Sequence, residues 1–137
     1  MDRPLRKVAA IACAALMASL VAAPVAPADY KPGRYAGTTS QGEQIRFKAT
    51  QLGVKKFDFT AIINCDDGSQ QAIDGSGGQA PVNDSGKFTA LFLGQGITSE
   101  VKGKLKRKKA GGKIETVGTA PSGAPCSIIV DWSAKRQ

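Results

Sequence analysis

Asp66 and Asp67 form the one adjacent pair of acids in a chain that has no histidine at all. Paired carboxylates can do the acid and base work of a glycosidase, or contribute to a calcium site. Calcium needs six or more oxygens, and an EF-type loop needs alternating acids that end in Glu. Neither surrounds the stretch DDGS, Asp66 to Ser69, so it reads as a turn whose aspartates cap their own backbone. The missing histidine removes a Ser-His-Asp triad, a Cys-His pair and His-ligated zinc. The stretch DGSGGQAPVNDSG, 74–86, has the glycines of a phosphate-cradling loop but not the order G-x-x-x-x-G-K-[ST], and it is expected to be a long flexible connection.

A second kind of chemistry is written in VKGKLKRKKAGGKIE, Val101 to Glu115, which holds seven positive charges in fifteen residues. Lys102, Lys104 and Lys106 alternate with Val101, Gly103 and Leu105, so three ammonium groups line one outward strand face. Arg107, Lys108 and Lys109 crowd the turn that follows, and Lys113 starts the return strand. Such a stripe creates a local positive potential that attracts polyanions. It is also what a well-solvated hairpin uses against edge-to-edge aggregation. Aromatic interleaving and an arginine-rich groove are absent, which argues against a specific nucleic-acid partner.

These side chains must be carried by strands. No segment after Asp29 keeps a 3.6-residue apolar period, whereas period-2 alternation recurs between clusters of Gly, Pro, Asn, Asp and Ser. Clear strands are EQIRFKA (43–49), FDFTAIINC (57–65), GKFTALFLG (86–94), VKGKLK (101–106) and CSIIVDWSA (126–134). Weaker ones fall at 34–39, 70–73 and 113–119, which makes eight. Their short connections predict an all-β antiparallel meander, closed as a small up-and-down barrel or folded as a sandwich. Trp132 shares its parity with Ile128 and Val130, so it is expected in the core rather than on an aromatic platform with Tyr30 and Tyr35. Ile62, Leu91, Leu93 and Ile129 fall on the outward side, where they would matter only as a contiguous patch.

The N-terminus has the layout of a secretory signal peptide. Arg3, Arg6 and Lys7 precede an uncharged run from Val8 to Ala28, broken by Pro24 and Pro27, and Ala26-Pro27-Ala28 offers a cleavage site after Ala28. The run is just long enough to be an uncleaved anchor, but its alanines and prolines make a poor permanent span. Cys13 lies inside the run rather than after it, which argues against lipidation. Residues 1–28 thus form a signal peptide, with its helix touching the membrane only before cleavage, and 29–137 one secreted domain. Cleavage removes three cations and one acid, leaving 109 residues with a formal charge of +6.

Two cysteines remain after cleavage, in a chain bound for an oxidising compartment. Cys65 shares its side with Phe57, Phe59 and Ile63, and Cys126 shares its side with Ile128, Val130 and Trp132. Both sulfurs should point inward from strand ends, and a Cys65–Cys126 bridge is expected over two buried free thiols.

The ordered set GRYAGTTSQGEQIRFKAT, a central cysteine followed by DDGS, SGKFTALF, SEVKGKLK and a closing CSIIVDWSAKR resembles a recurring domain of small exported bacterial proteins, common among actinobacteria. The resemblance covers nearly all of 29–137 and implies a secreted β domain with a cysteine pair. It implies no activity and no site residues. The sequence therefore leads to the expectation of a non-catalytic, cofactor-free, monomeric secreted or periplasmic domain whose work is adhesion to an anionic envelope polymer through Lys102, Lys104, Lys106, Arg107, Lys108, Lys109 and Lys113. The alternative is a small-ligand carrier using a barrel interior, which eight strands can provide.

Overall fold

The computed structural model describes residues 29–94 and 96–137; the segment expected to be a signal peptide, with its cleavage after Ala28, lies outside the described residues. Eight antiparallel strands follow one another: β1 (Gly33–Thr39), β2 (Gln44–Ala49), β3 (Gly53–Cys65), β4 (Gln70–Pro81), β5 (Lys87–Gly94), β6 (Ile97–Lys106), β7 (Lys109–Thr119) and β8 (Pro125–Arg136). They form one sheet in the order β4-β3-β2-β1-β8-β7-β6-β5. This is the expected all-β meander, curled into a small barrel. Sequence neighbours pair throughout except β4 and β5, whose edges meet without a hydrogen-bonded ladder, while β1 and β8 close the ring on the other side.

The alternation that defines the strands also defines the core. Tyr35, Phe47 and Phe57, on three successive strands, stack with ring centroids 5.0 and 5.1 Å apart and planes within 11° of parallel. Trp132 stands edge-on to both phenylalanines at 5.9 and 5.8 Å. Its indole N–H donates to the Lys102 carbonyl at 3.2 Å, so a buried donor is satisfied inside an apolar cluster. Tyr35 is buried likewise, and its hydroxyl donates to the Lys31 carbonyl at 2.6 Å. Neither ring is free to act as a platform.

Gly103 shows how the rings are accommodated. Its position faces inward between Val101 and Leu105, and a Cβ there would come within 2.5 Å of the Phe88 ring and 2.6 Å of Trp132. Gly103→Ala is therefore an overpacking substitution and should cost about 1–3 kcal/mol in urea denaturation. An unchanged midpoint would mean that the two rings yield freely.

Gly75 and Gly78 have the same cause, and over 74–81 the expected flexible connection is corrected. Residues 74–81 belong to β4 and pair with β3 from Thr60 back to Gly53. A Cβ on Gly75 would meet the Phe59 ring, and one on Gly78 would come 2.2 Å from the Phe92 ring. These two glycines mark a close approach of aromatic side chains, not a loop, while Gly77 takes a positive φ of 75° where the β3–β4 register shifts. Phe92 of β5 thus covers the β4–β5 seam with its ring where the backbones form no ladder.

Two further boundaries differ from the expected ones. β3 begins at Gly53, before a bulge around Lys56 that sets Lys56 and Phe57 against Phe47 on β2 and Lys55 and Lys56 against Gln79 on β4. β7 begins at Lys109, because only Arg107 and Lys108 separate it from β6 and Lys109 pairs directly with Lys106. The stretch RKKAGG is mostly strand.

At one end β3 and β8 outrun the β1–β2 hairpin and pair with each other through Asn64–Ser127 and Cys65–Cys126. Gln41, in the hairpin turn, fills the remaining gap. Its side-chain amide donates to the Ile62 carbonyl and its oxygen accepts from the Ile62 amide, both at 2.8 Å. Cys65 and Cys126 form the expected disulfide, packed with Ile63 and Ala120 in a small second core.

Candidate functional site

Beside the disulfide, the acidic pair lies in the β3–β4 turn. Asp67 accepts from the Ser69 amide at 2.9 Å and from the hydroxyls of Ser69 and Ser122, the latter in the β7–β8 turn. These bonds, with Ser122 the strongest contributor, hold its carboxyl at a pKa of about 2. The Asp66 amide donates to the Pro125 carbonyl at 2.9 Å. The aspartates thus fasten two turns across the strand ends that carry the bridge. Among the described residues no three acidic or sulfur side chains converge as a metal site would need.

The basic stretch lies at the opposite end of β8. All seven side chains are exposed, and β6 and β7 present them in the register the alternation requires. They divide into two groups. Lys102 pairs with Glu100 at 3.0 Å, a contact that raises its pKa, and Lys113 pairs with Asp131 at 3.4 Å. Lys104, Lys106, Arg107, Lys108 and Lys109 have no carboxylate partner among the described residues. Two pairs are therefore locally neutralised, and five cations are left at the turn.

The turn itself is tied down. The Arg107 amide donates to the Asp29 carbonyl at 2.6 Å, and the Lys31 amide donates to the Arg107 carbonyl at 2.8 Å. The Arg136 amide donates to the Lys108 carbonyl at 2.9 Å. These bonds hold Arg107 at φ 57°, a left-handed conformation that side chains other than glycine rarely adopt. Glycine is the usual residue at the first position of a two-residue hairpin turn with this geometry. Here the chain keeps an arginine instead.

The cations continue past the hairpin, which the sequence did not reveal. Across the outer surface Lys106 sits beside Lys109, Lys109 beside Lys135, Lys135 beside Ala36, and Ala36 beside Arg46. At about 4.8 Å per strand this row is roughly 19 Å long. Lys104 is flanked on the other side by Lys87. Parity alone marks Lys135 and Arg46 as outward, but only the strand order joins them to the hairpin.

The outward apolar residues do not make a comparable surface. Leu91, Leu93 and Ile129 are exposed, with Val117 about half exposed, while Ile62 is partly covered. In register, Glu100 and Glu115 stand between Leu91 and Ile129. The acids divide the patch.

Two of the surface hollows bear on the candidate sites. One of about 980 Å³ opens at the β4–β5 seam, where Phe59, Ile73, Phe92, Ile97 and Ser99 contribute to its wall. The other, of about 620 Å³, lies on the outer side of β1–β3 among Arg34, Arg46, Lys48 and Lys56. The chain matches no family model, no curated protein and no solved structure.

Proposed function

We propose that the protein is a non-catalytic exported domain that binds an anionic polymer of the cell envelope through the hairpin of β6 and β7. The observation that carries this reading is the group of five unpaired cations, Lys104 and Lys106 to Lys109, on a turn held by backbone hydrogen bonds. A merely solvated turn has no need of an arginine in a left-handed conformation. Retaining one at a cost of about 1–2 kcal/mol fits a residue kept for its charge. The disulfide is consistent with an oxidising compartment, and the arrangement of residues 1–28 supports export. The row through Lys109 and Lys135 gives a chain-like polyanion more than a single point of attachment. The direct experiment is co-sedimentation of the protein with isolated cell envelopes. Binding that salt releases, and that a soluble anionic polymer displaces, supports the reading; binding indifferent to both contradicts it.

Small-ligand carriage has one observation in its favour, the hollow at the β4–β5 seam. The centre of the barrel is filled by the aromatic stack, so a ligand would sit at this seam rather than on the barrel axis. A neutral solvatochromic dye should then bind with a blue shift, and Ile97→Trp, which fills the hollow, should abolish it. No shift with the parent protein would remove this reading.

A further inference from the structure

Lys56 is, with Arg107, one of two described non-glycine residues in the left-handed region, at φ 52°. Both are cations, and both border the basic surface. Lys56 belongs to the β3 bulge, a device that re-aims a side chain out of the regular alternation. The regular outward positions of β3 next to β2 are Lys55, beside Lys48, and Asp58, beside Arg46. The bulge inserts one more cation between them. Lys56 joins Arg34, Arg46 and Lys48 around the 620 Å³ hollow, where Ala36 and Thr38 keep the side chains of β1 small.

No acidic side chain lines this hollow, whose rim also includes Gln137. None of the four cations has a carboxylate within salt-bridge distance among the described residues. Asp58, the nearest acid in register, accepts from the Gly77 amide at 3.1 Å. The Arg46 guanidinium is oriented by Gln44, whose side-chain oxygen accepts from its Nη2 at 2.8 Å. Its other N–H groups remain for a ligand. Two guanidinium groups and two ammonium groups around one depression suit an oxyanion with several charged oxygens better than a single carboxylate, because arginine offers a planar fork and lysine a point charge.

We infer that the hollow on β1–β3 is a phosphate-binding subsite, in which Arg34, Arg46, Lys48 and Lys56 hold a phosphate group of the anionic polymer that the hairpin engages. The inference rests on the polyanion reading for its natural ligand, but not for its test, since a short phosphate chain can occupy the hollow without reaching the hairpin. The strained backbone of Lys56 then has a function. Glycine would relieve the strain and remove the cation, so binding and stability should move independently at this one position.

The test is calorimetric titration of the protein with tripolyphosphate, and with citrate as a tricarboxylate of comparable charge. Lys56→Gly should weaken tripolyphosphate binding about tenfold, as expected for one charge-assisted contact, without lowering the melting temperature. Arg46→Gln should weaken it at least as much. Replacing the hairpin lysines Lys104, Lys106, Lys108 and Lys109 with Gln should leave tripolyphosphate affinity within about twofold, because none of them lines the hollow. Unchanged affinity in both Lys56→Gly and Arg46→Gln would overturn the subsite, and citrate binding as tightly as tripolyphosphate would overturn its phosphate class. Failure of the hairpin reading shows separately, as a long polymer whose binding ignores the hairpin substitutions.

Discussion

Cys126→Ser is expected to destabilise the protein by roughly 4 kcal/mol, the chain-entropy value for a bridge that joins residues 61 apart. For a domain of this size that is a large share of the usual 5–15 kcal/mol, and the melting temperature should fall by on the order of 20 °C. The location of the bridge adds to the effect. β3 and β8 meet through just two residue pairs, one of them the cysteines themselves, so without the bridge those strand ends depend on the exposed contacts of Asp66 and Asp67 between the two turns. The small cluster of Ile63, Cys65, Ala120 and Cys126 is too small to replace it. Urea denaturation gives a second signature. An uncrosslinked unfolded chain exposes more surface, so the m-value should rise as the midpoint falls. Reducing agent should move the parent protein to the same curve. A variant that melts within a few degrees of the parent would show that packing, not the staple, secures this end of the barrel.

The bridge was legible in the sequence because parity is a local property. Cys65 and Cys126 each close a run of inward residues, and that run survives folding unchanged. The same holds for Trp132 and for the outward lysines of β6. What parity cannot carry is pairing. Gly75 and Gly78 look like a loop until Phe59 and Phe92 are placed over them, because the need for glycine lies in other strands. Lys109 to Gly112 look like a turn for a related reason: the tight connection is made by Arg107 in a conformation that glycine normally supplies, so the usual signal is missing where the turn is and present where the strand is. The basic surface divides along the same line. Its hairpin is continuous in sequence and was visible; Lys135, Arg46 and Lys56 reach it through strand order and a bulge, which only the folded chain displays.

Replacing Lys104, Lys106, Lys108 and Lys109 with Gln is expected to have the largest effect on binding. All four are exposed, and none of their side chains makes a hydrogen bond or ion pair among the described residues, so the substitutions remove charge without removing support. Lys106 and Lys109 face each other across the ladder, and relieving that like-charge contact offsets any loss of β propensity. Each lysine that neutralises an anion releases about 0.7 of a condensed counterion from a single-stranded polymer, so five engaged cations give a log-log salt slope of roughly −3 to −4. Four fewer cations flatten it by about 2.8. At about 0.1 M salt this amounts to between two and three orders of magnitude in affinity.

The decisive measurement is therefore the salt dependence of binding to a linear anionic polymer, heparin-like or teichoic-acid-like, made side by side on the parent and the quadruple variant. A steep slope for the parent, flattened by nearly three in a variant that remains folded, is the expected result. If the variant binds as tightly as the parent with the same salt dependence, the hairpin is only a solvated turn and the polyanion reading is wrong.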